Sequence, residues 1–181
     1  MLEQEISRRR LLLGAGCLLG GALLPLPALA SRSTAGRELS FFNLNTGERV
    51  RASYWENGHY LSDGLAEFNH ILRDYRRNEV FNIDRRLFDQ LYLLQQKLGR
   101  RSEILLISGY RSPATNRQKR SKSRGVAKQS YHTLGQAVDV RIPGVQLAHL
   151  RKAALNLGVG GVGYYPHDNF VHLDTGPVRS W

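Results

Sequence analysis

Ala137-Val138-Asp139-Val140-Arg141-Ile142 is the stretch on which the fold turns. Side chains leave successive strand residues on opposite faces, so Val138, Val140 and Ile142 point into a core and Asp139 points away from it. Phe170-Val171-His172-Leu173-Asp174 has the same alternation. Val171 and Leu173 enter the core, and His172 shares the other face with Phe170 and Asp174. Pairing of these two strands brings Asp139 and His172 together on one accessible face. His132 precedes Leu134-Gly135, a turn able to return it toward Asp139.

The elements around this pair follow from period and punctuation. Gly160 to Tyr165 reads as a strand joined to 170–174 by the turn Pro166-His167-Asp168-Asn169. Val145 to Leu157 reads as a helix with Leu147, Leu150, Ala154 and Leu157 inward. Ile104-Leu105-Leu106-Ile107 is a short apolar run, hence a buried strand, and it leads directly into Ser108-Gly109-Tyr110-Arg111-Ser112-Pro113. From Ser62 the period is helical, with Leu65, Phe68, Asn69 and Leu72 on one face and Arg73, Arg76 and Arg77 near the end. Asp84 is the N-cap of a further helix carrying Leu87, Phe88, Leu91, Leu94 and Leu98, and Gly99 stops it. Leu39–Phe42 and Val50–Trp55 flank Asn45-Thr46-Gly47-Glu48 as a hairpin. Residues 116–128 carry Arg117, Lys119, Arg120, Lys122, Arg124 and Lys128 among few apolar residues, so an exposed, mobile, solvated loop is expected. The predicted class is α+β, one domain over residues 38–181, with helices first and then a small, mostly antiparallel sheet.

The first 30 residues have a different character. Ser7-Arg8-Arg9-Arg10-Leu11-Leu12 has the Ser-Arg-Arg-x-x-Leu order of a twin-arginine export signal, ahead of an apolar run that ends in Ala28-Leu29-Ala30. Glycines and prolines in its second half favour a cleaved signal over a retained membrane helix, so no stable membrane anchor is expected afterwards. Residues 31–37 read as a polar linker, and the expected compartment is the periplasm. Cys17, the only cysteine, lies within the signal, and Gly14 stands where a lipoprotein signal would want Leu. Beyond it the chain has no thiol for a disulfide, a metal or a nucleophile. The net charge of +11 over 181 residues favours anionic partners such as lipid headgroups or wall-peptide carboxylates; export argues against nucleic acid.

His132, Asp139 and His172 are the candidates for chemistry. Two imidazoles and a carboxylate suit zinc, which takes N and O ligands at about 2 Å and leaves a position for water in catalytic sites. Spacing alone leaves open that each histidine is a hydrogen-bonded core residue. Three ordered motifs add to it: Ser108-Gly109-Tyr110-Arg111-Ser112, Ser130-Tyr131-His132-Thr133-Leu134-Gly135-Gln136-Ala137-Val138-Asp139 and Phe170-Val171-His172-Leu173-Asp174. Together they resemble the M15 group of zinc peptidases, related to the LAS enzymes, and in particular its DUF882 branch.

The resemblance covers nearly the whole chain. It implies a LAS/hedgehog-like zinc peptidase fold, with one zinc ion held by His132, Asp139 and His172. It also implies hydrolysis of peptidoglycan (murein) stem peptides at D-alanyl–diaminopimelate or diaminopimelate–diaminopimelate cross-links. Arg111 matches the arginine that binds a substrate carboxylate or the oxyanion, as a guanidinium can. Ser108, Ser130 and Tyr131 are further candidate substrate contacts. One departure matters. Where many relatives place a proton acceptor shortly before the last ligand, this chain has Asn169 and Phe170. Asp174 is then read either as a base or as a carboxylate that orients a ligand. A wall-peptide-binding module without catalysis is the alternative, and a polyanion binder built on the basic stretch 116–128 is a third reading.

Overall fold

The computed structural model describes residues 36–122 and 127–181. The stretch read as an export signal, most of the stretch read as a linker, Cys17 and Arg124 lie outside the described residues. Among the described residues no helix is long and apolar enough to cross a membrane.

The chain runs β1 (Arg37–Asn43), β2 (Arg49–Glu56), β3 (His59–Tyr60), α1 (Ser62–Ile71), α2 (Arg85–Lys97), β4 (Ile104–Ser108) and α3 (Pro113–Lys122). A short 3-10 helix (Tyr131–Leu134) follows, then β5 (Ala137–Arg141), α4 (Leu147–Leu155), β6 (Gly161–Tyr165), β7 (Phe170–Asp174) and β8 (Arg179–Ser180). The strands form one eight-stranded sheet in the order β3-β2-β1-β4-β5-β7-β6-β8. The β1/β4 and β6/β8 pairings are parallel, and the other pairings are antiparallel.

The class is α+β, as expected, but the sheet is not small and does not follow the helices. The opening hairpin enters the same sheet through the β1/β4 pairing, with Phe41 opposite Ile104. Local periodicity carries no information about this partner, because the connection spans both α1 and α2.

The core lies on one sheet face. Leu39 and Phe41 of β1, Ile104 and Leu106 of β4, Val138 and Val140 of β5, Val162 of β6 and Val171 and Leu173 of β7 are all buried in one cluster with the apolar residues of α1, α2 and α4. Phe68 is at its centre, with ring centroids 5.0 Å from both Phe41 and Phe88 and 5.9 Å from Tyr54. Asp84 caps α2 by accepting from the Arg86 backbone N–H at 3.0 Å, and Gly99, at φ +63°, lies just beyond its C-cap.

Two local expectations need correction. Helix α1 ends at Ile71, so Arg73 lies beyond it, and Arg76 and Arg77 lie in a turn closed by a bridge between Asp74 and Glu79. The first part of the basic stretch is helical: α3 covers Pro113–Lys122 and buries Thr115 and Asn116. It lacks an apolar stripe. Its start is held instead by the Ser112 hydroxyl, which accepts from the Thr115 N–H at 3.2 Å and donates to Asp74 at 2.7 Å. Such burial of polar groups by specific bonds leaves no periodic trace. Strand β8 is too short to be recognised from alternation.

Candidate metal centre

Sheet register assembles the site on the face opposite the helical core. His172 pairs with Asp139 across β7 and β5, Asp139 pairs with Ser108 across β5 and β4, and Gly163 of β6 pairs with His172. The 3-10 helix brings His132 to the same place. It ends at Gly135 in the left-handed region (φ +66°), where a side chain would be strained and would meet the Phe81 ring and the Asn82 carbonyl. His132, Asp139 and His172 thus meet as the sequence anticipates, although all three are buried, not accessible.

Their hydrogen bonds determine which atoms face one another. His132 Nδ1 lies 2.8 Å from the Gly109 carbonyl, to which it can only donate. Its Nε2 then carries a lone pair, 3.2 Å from Asp139 Oδ1. The Nε2 of His172 donates to Asp174 Oδ2 at 3.0 Å; in the neutral ring this leaves a lone pair on Nδ1, 2.8 Å from the same Asp139 oxygen. One ligand atom from each of the three residues lies within 4.8 Å of the other two. Three buried atoms that converge in this way could hold a cation between them. Two imidazole nitrogens and a carboxylate oxygen fit a divalent metal ion.

The electrostatics favour the ligating form of His132 and of Asp139, and the protonated form of His172 while no cation is bound. Burial would raise the Asp139 carboxyl, but the His132 and His172 rings outweigh it and hold it well below the usual carboxylate range. Burial pushes His132 down toward the neutral, ligating form. For His172 burial acts the same way, but hydrogen bonds to Asp139 and Asp174 prevail and raise it.

Arg111 lies beside this centre on the loop after β4 and is 8% exposed. Its backbone N–H donates to the His132 carbonyl at 3.1 Å. Its guanidinium donates to Asn116 Oδ1 at 3.2 Å and, at 3.5 Å, to Ser108 Oγ, while its Nε is buried without a partner. Among the described residues no carboxylate forms an ion pair with it. Ser130 and Tyr131 precede His132 and are partly buried; the Tyr131 ring lies over the Arg179 guanidinium at 4.9 Å. Asp174 is fully buried. Its Oδ1 accepts from the Gly161 and Gly176 backbones and from Arg179, and its Oδ2 accepts from His172 and Arg179. Five donors use up the carboxylate, so it has no free lone pair to offer a substrate proton. That geometry matches an orienting carboxylate.

The sequence profile described as "Peptidoglycan L,D-endopeptidase MepK" matches residues 31–181. The chain belongs to this family. It is 53% identical over 178 residues to the peptidoglycan L,D-endopeptidase MepK of Escherichia coli strain K12, covering 98% of each chain. The corresponding protein of Shigella flexneri matches to the same extent. The probable peptidoglycan L,D-endopeptidase MepK of Haemophilus influenzae is 45% identical over 97% of this chain and 95% of its own length. No solved structure matches the chain significantly.

Sequence reading missed Asn116, Arg179 and Trp181. Asn116 lies in a stretch read as solvated. Arg179 and Trp181 had a faint signal: Gly161 and Gly163 alternate on β6, leaving space on one face for side chains from elsewhere.

Proposed function

We propose that the chain is a periplasmic, zinc-dependent endopeptidase, exported by the twin-arginine route, that hydrolyses peptide cross-links of peptidoglycan. Diaminopimelate–diaminopimelate bonds are the preferred target, in keeping with the L,D-endopeptidase name of its relatives. The observation that carries this reading is the convergence of His132 Nε2, Asp139 Oδ1 and His172 Nδ1 in one buried cluster able to hold a divalent ion.

His132, Asp139 and His172 would hold the ion. When bound, zinc supplies Lewis acidity that polarises the scissile carbonyl and makes a water acidic enough to attack near neutral pH. The chain's own residues do the rest. Gly109 and Asp174 fix the two imidazoles in the ligating tautomers. Arg111 provides a positive charge with no carboxylate ion-paired to it among the described residues. Both cross-link types place a carboxylate on the carbon next to the scissile nitrogen, and a guanidinium can take that group or the developing oxyanion. Ser108 and Asn116 hold the guanidinium in place, and Ser130 and Tyr131, which precede His132, are further candidate substrate contacts. Hydrolysis adds water across the amide: the carbonyl carbon gains the hydroxyl oxygen, the C–N bond breaks, and the amine leaves with the proton. Asp174 serves in this scheme as an orienting group and not as the base.

The engagement of Asp174, together with Asn169 and Phe170 where a proton acceptor would be, favours one rival: a module that binds the wall peptide without cutting it. One experiment separates them. Zinc-loaded protein is incubated with purified cross-linked muropeptide dimers, and products are resolved by chromatography. Conversion to monomers, abolished by chelator and by His172→Ala, is the expected result. If the wild type behaves like His172→Ala and chelation changes nothing, the hydrolase reading fails; retention of intact dimer without product then supports the binding module.

A further inference from the structure

Strand β8 runs parallel to β6, with Arg179 opposite Gly161 and Ser180 opposite Val162. The ladder continues through Trp181, whose backbone exchanges hydrogen bonds with Val162 and Tyr164. This places Arg179 and Trp181 on the face that carries His172. Glycine at 161 and 163 makes that placement possible. A Cβ on Gly161 would lie 2.4 Å from Arg179 Nη1 and 2.6 Å from Asp174 Oδ2, and a Cβ on Gly163 would lie 2.7 Å from the Trp181 ring.

The Arg179 guanidinium grips Asp174 with both arms, Nη1 to Oδ1 at 3.0 Å and Nη2 to Oδ2 at 2.6 Å. It lies between the Tyr131 and Trp181 rings, 4.9 Å from each centroid. The Trp181 ring in turn lies 5.3 Å from the His172 ring, and its Nε1 donates to the Tyr165 hydroxyl at 2.7 Å. A two-pronged contact fixes the plane of a carboxylate as well as its position. That plane determines where Oδ2 meets His172 Nε2, and hence where His172 Nδ1 points.

We infer that Arg179 is a positioning residue of the metal centre, holding His172 in its ligating orientation through Asp174. The inference rests on the metal-binding reading above. The alternative is that Arg179 merely fastens β8 to the sheet.

Zinc affinity measured by competition with a chromophoric chelator distinguishes the two, alongside thermal melting of the metal-free proteins as a check on folding. Arg179→Met keeps the stem packing but removes the fork, and should weaken zinc binding by about 10- to 100-fold, the usual cost of losing an outer partner of a metal ligand. Arg179→Lys, which offers a point charge instead of a fork, should fall between it and wild type. Asp174→Asn should weaken binding at least as much as Arg179→Met, and adding Arg179→Met to Asp174→Asn should cost nothing further, because both act through one contact. Wild-type affinity in a folded Arg179→Met protein overturns the inference, and so does a double variant whose losses multiply. Should Arg179→Met fail to fold, Arg179→Lys is judged by the same criteria. A wild-type protein that takes up no zinc defeats the metal reading itself, an outcome distinct from normal uptake that Arg179→Met leaves unchanged.

Discussion

Arg111 illustrates how much a single residue depends on its surroundings. Burial pushes its guanidinium down from the ordinary arginine value, yet its Nε has no acceptor and no acidic side chain in the described residues pairs with it. A charge held in this way is stabilised fully only when an anion arrives. Replacing it with lysine keeps the charge but loses the planar fork. We expect Arg111→Lys to lower kcat/KM on muropeptide dimers by about 100-fold, as removal of an oxyanion donor does elsewhere. Zinc affinity, titrated in parallel, should remain that of wild type; a matching loss of metal would show that Arg111 acts on the ligands instead. Glu48 offers a residue-scale test of stability. It accepts from both arms of Arg73 at 2.9 Å, and the hydrogen bonds from Arg73 and Thr46 bring its carboxyl down from an ordinary 4.5 to about 2. A depressed folded-state value contributes stability that is complete above the unfolded value and lost as pH falls through the folded one. Unfolding midpoints in urea should therefore decline between about pH 4.5 and 2, and Glu48→Gln should flatten that decline.

At the scale of elements, the start of α2 and the end of β7 are tied by one side chain. Asp84 caps the helix and also accepts from the Thr175 hydroxyl at 2.9 Å, next to Asp174. Asp84→Ala should cost about 1–2 kcal/mol, the range for a lost helix cap, read from a urea titration. Helix α3 teaches a different lesson. Its charged residues read as a loop because it has no apolar stripe, but Asn116 is 3% exposed, donates to the Ala127 carbonyl at 3.2 Å and supports Arg111. A helix fastened by buried polar bonds is invisible to a hydrophobic period. The strands were legible for the opposite reason. Val138, Val140, Val171 and Leu173 are buried in one core, so their alternation records the inner face directly.

For the whole molecule, one core holds the two ends of the sheet together, and Phe68 sits where β1, β2, α1 and α2 meet. Phe68→Ala should cost about 3–5 kcal/mol by denaturant unfolding, since it removes a fully buried ring from that junction. The candidate metal ligands come from β5, β7 and the 3-10 helix, so an ion held by them would staple three separate segments. A ligand that binds only the folded state raises its stability by mass action. Added zinc should accordingly raise the melting temperature of wild type and leave His132→Ala unmoved, a scan that needs no substrate.

The sequence by itself determined the alternation of β5 and β7, the cap and stripe of α2, and the residue types at 132, 139 and 172. These are properties of near neighbours along the chain, written in steric period and hydrogen-bonding chemistry. Tertiary structure alone decided that the opening hairpin joins the sheet through β1 and β4, that Asp174 is wholly engaged, and that Arg179 and Trp181 reach the face of His172. Those outcomes depend on contacts between residues far apart in sequence. Such contacts are selected by the packing of the entire core and leave no local pattern to read.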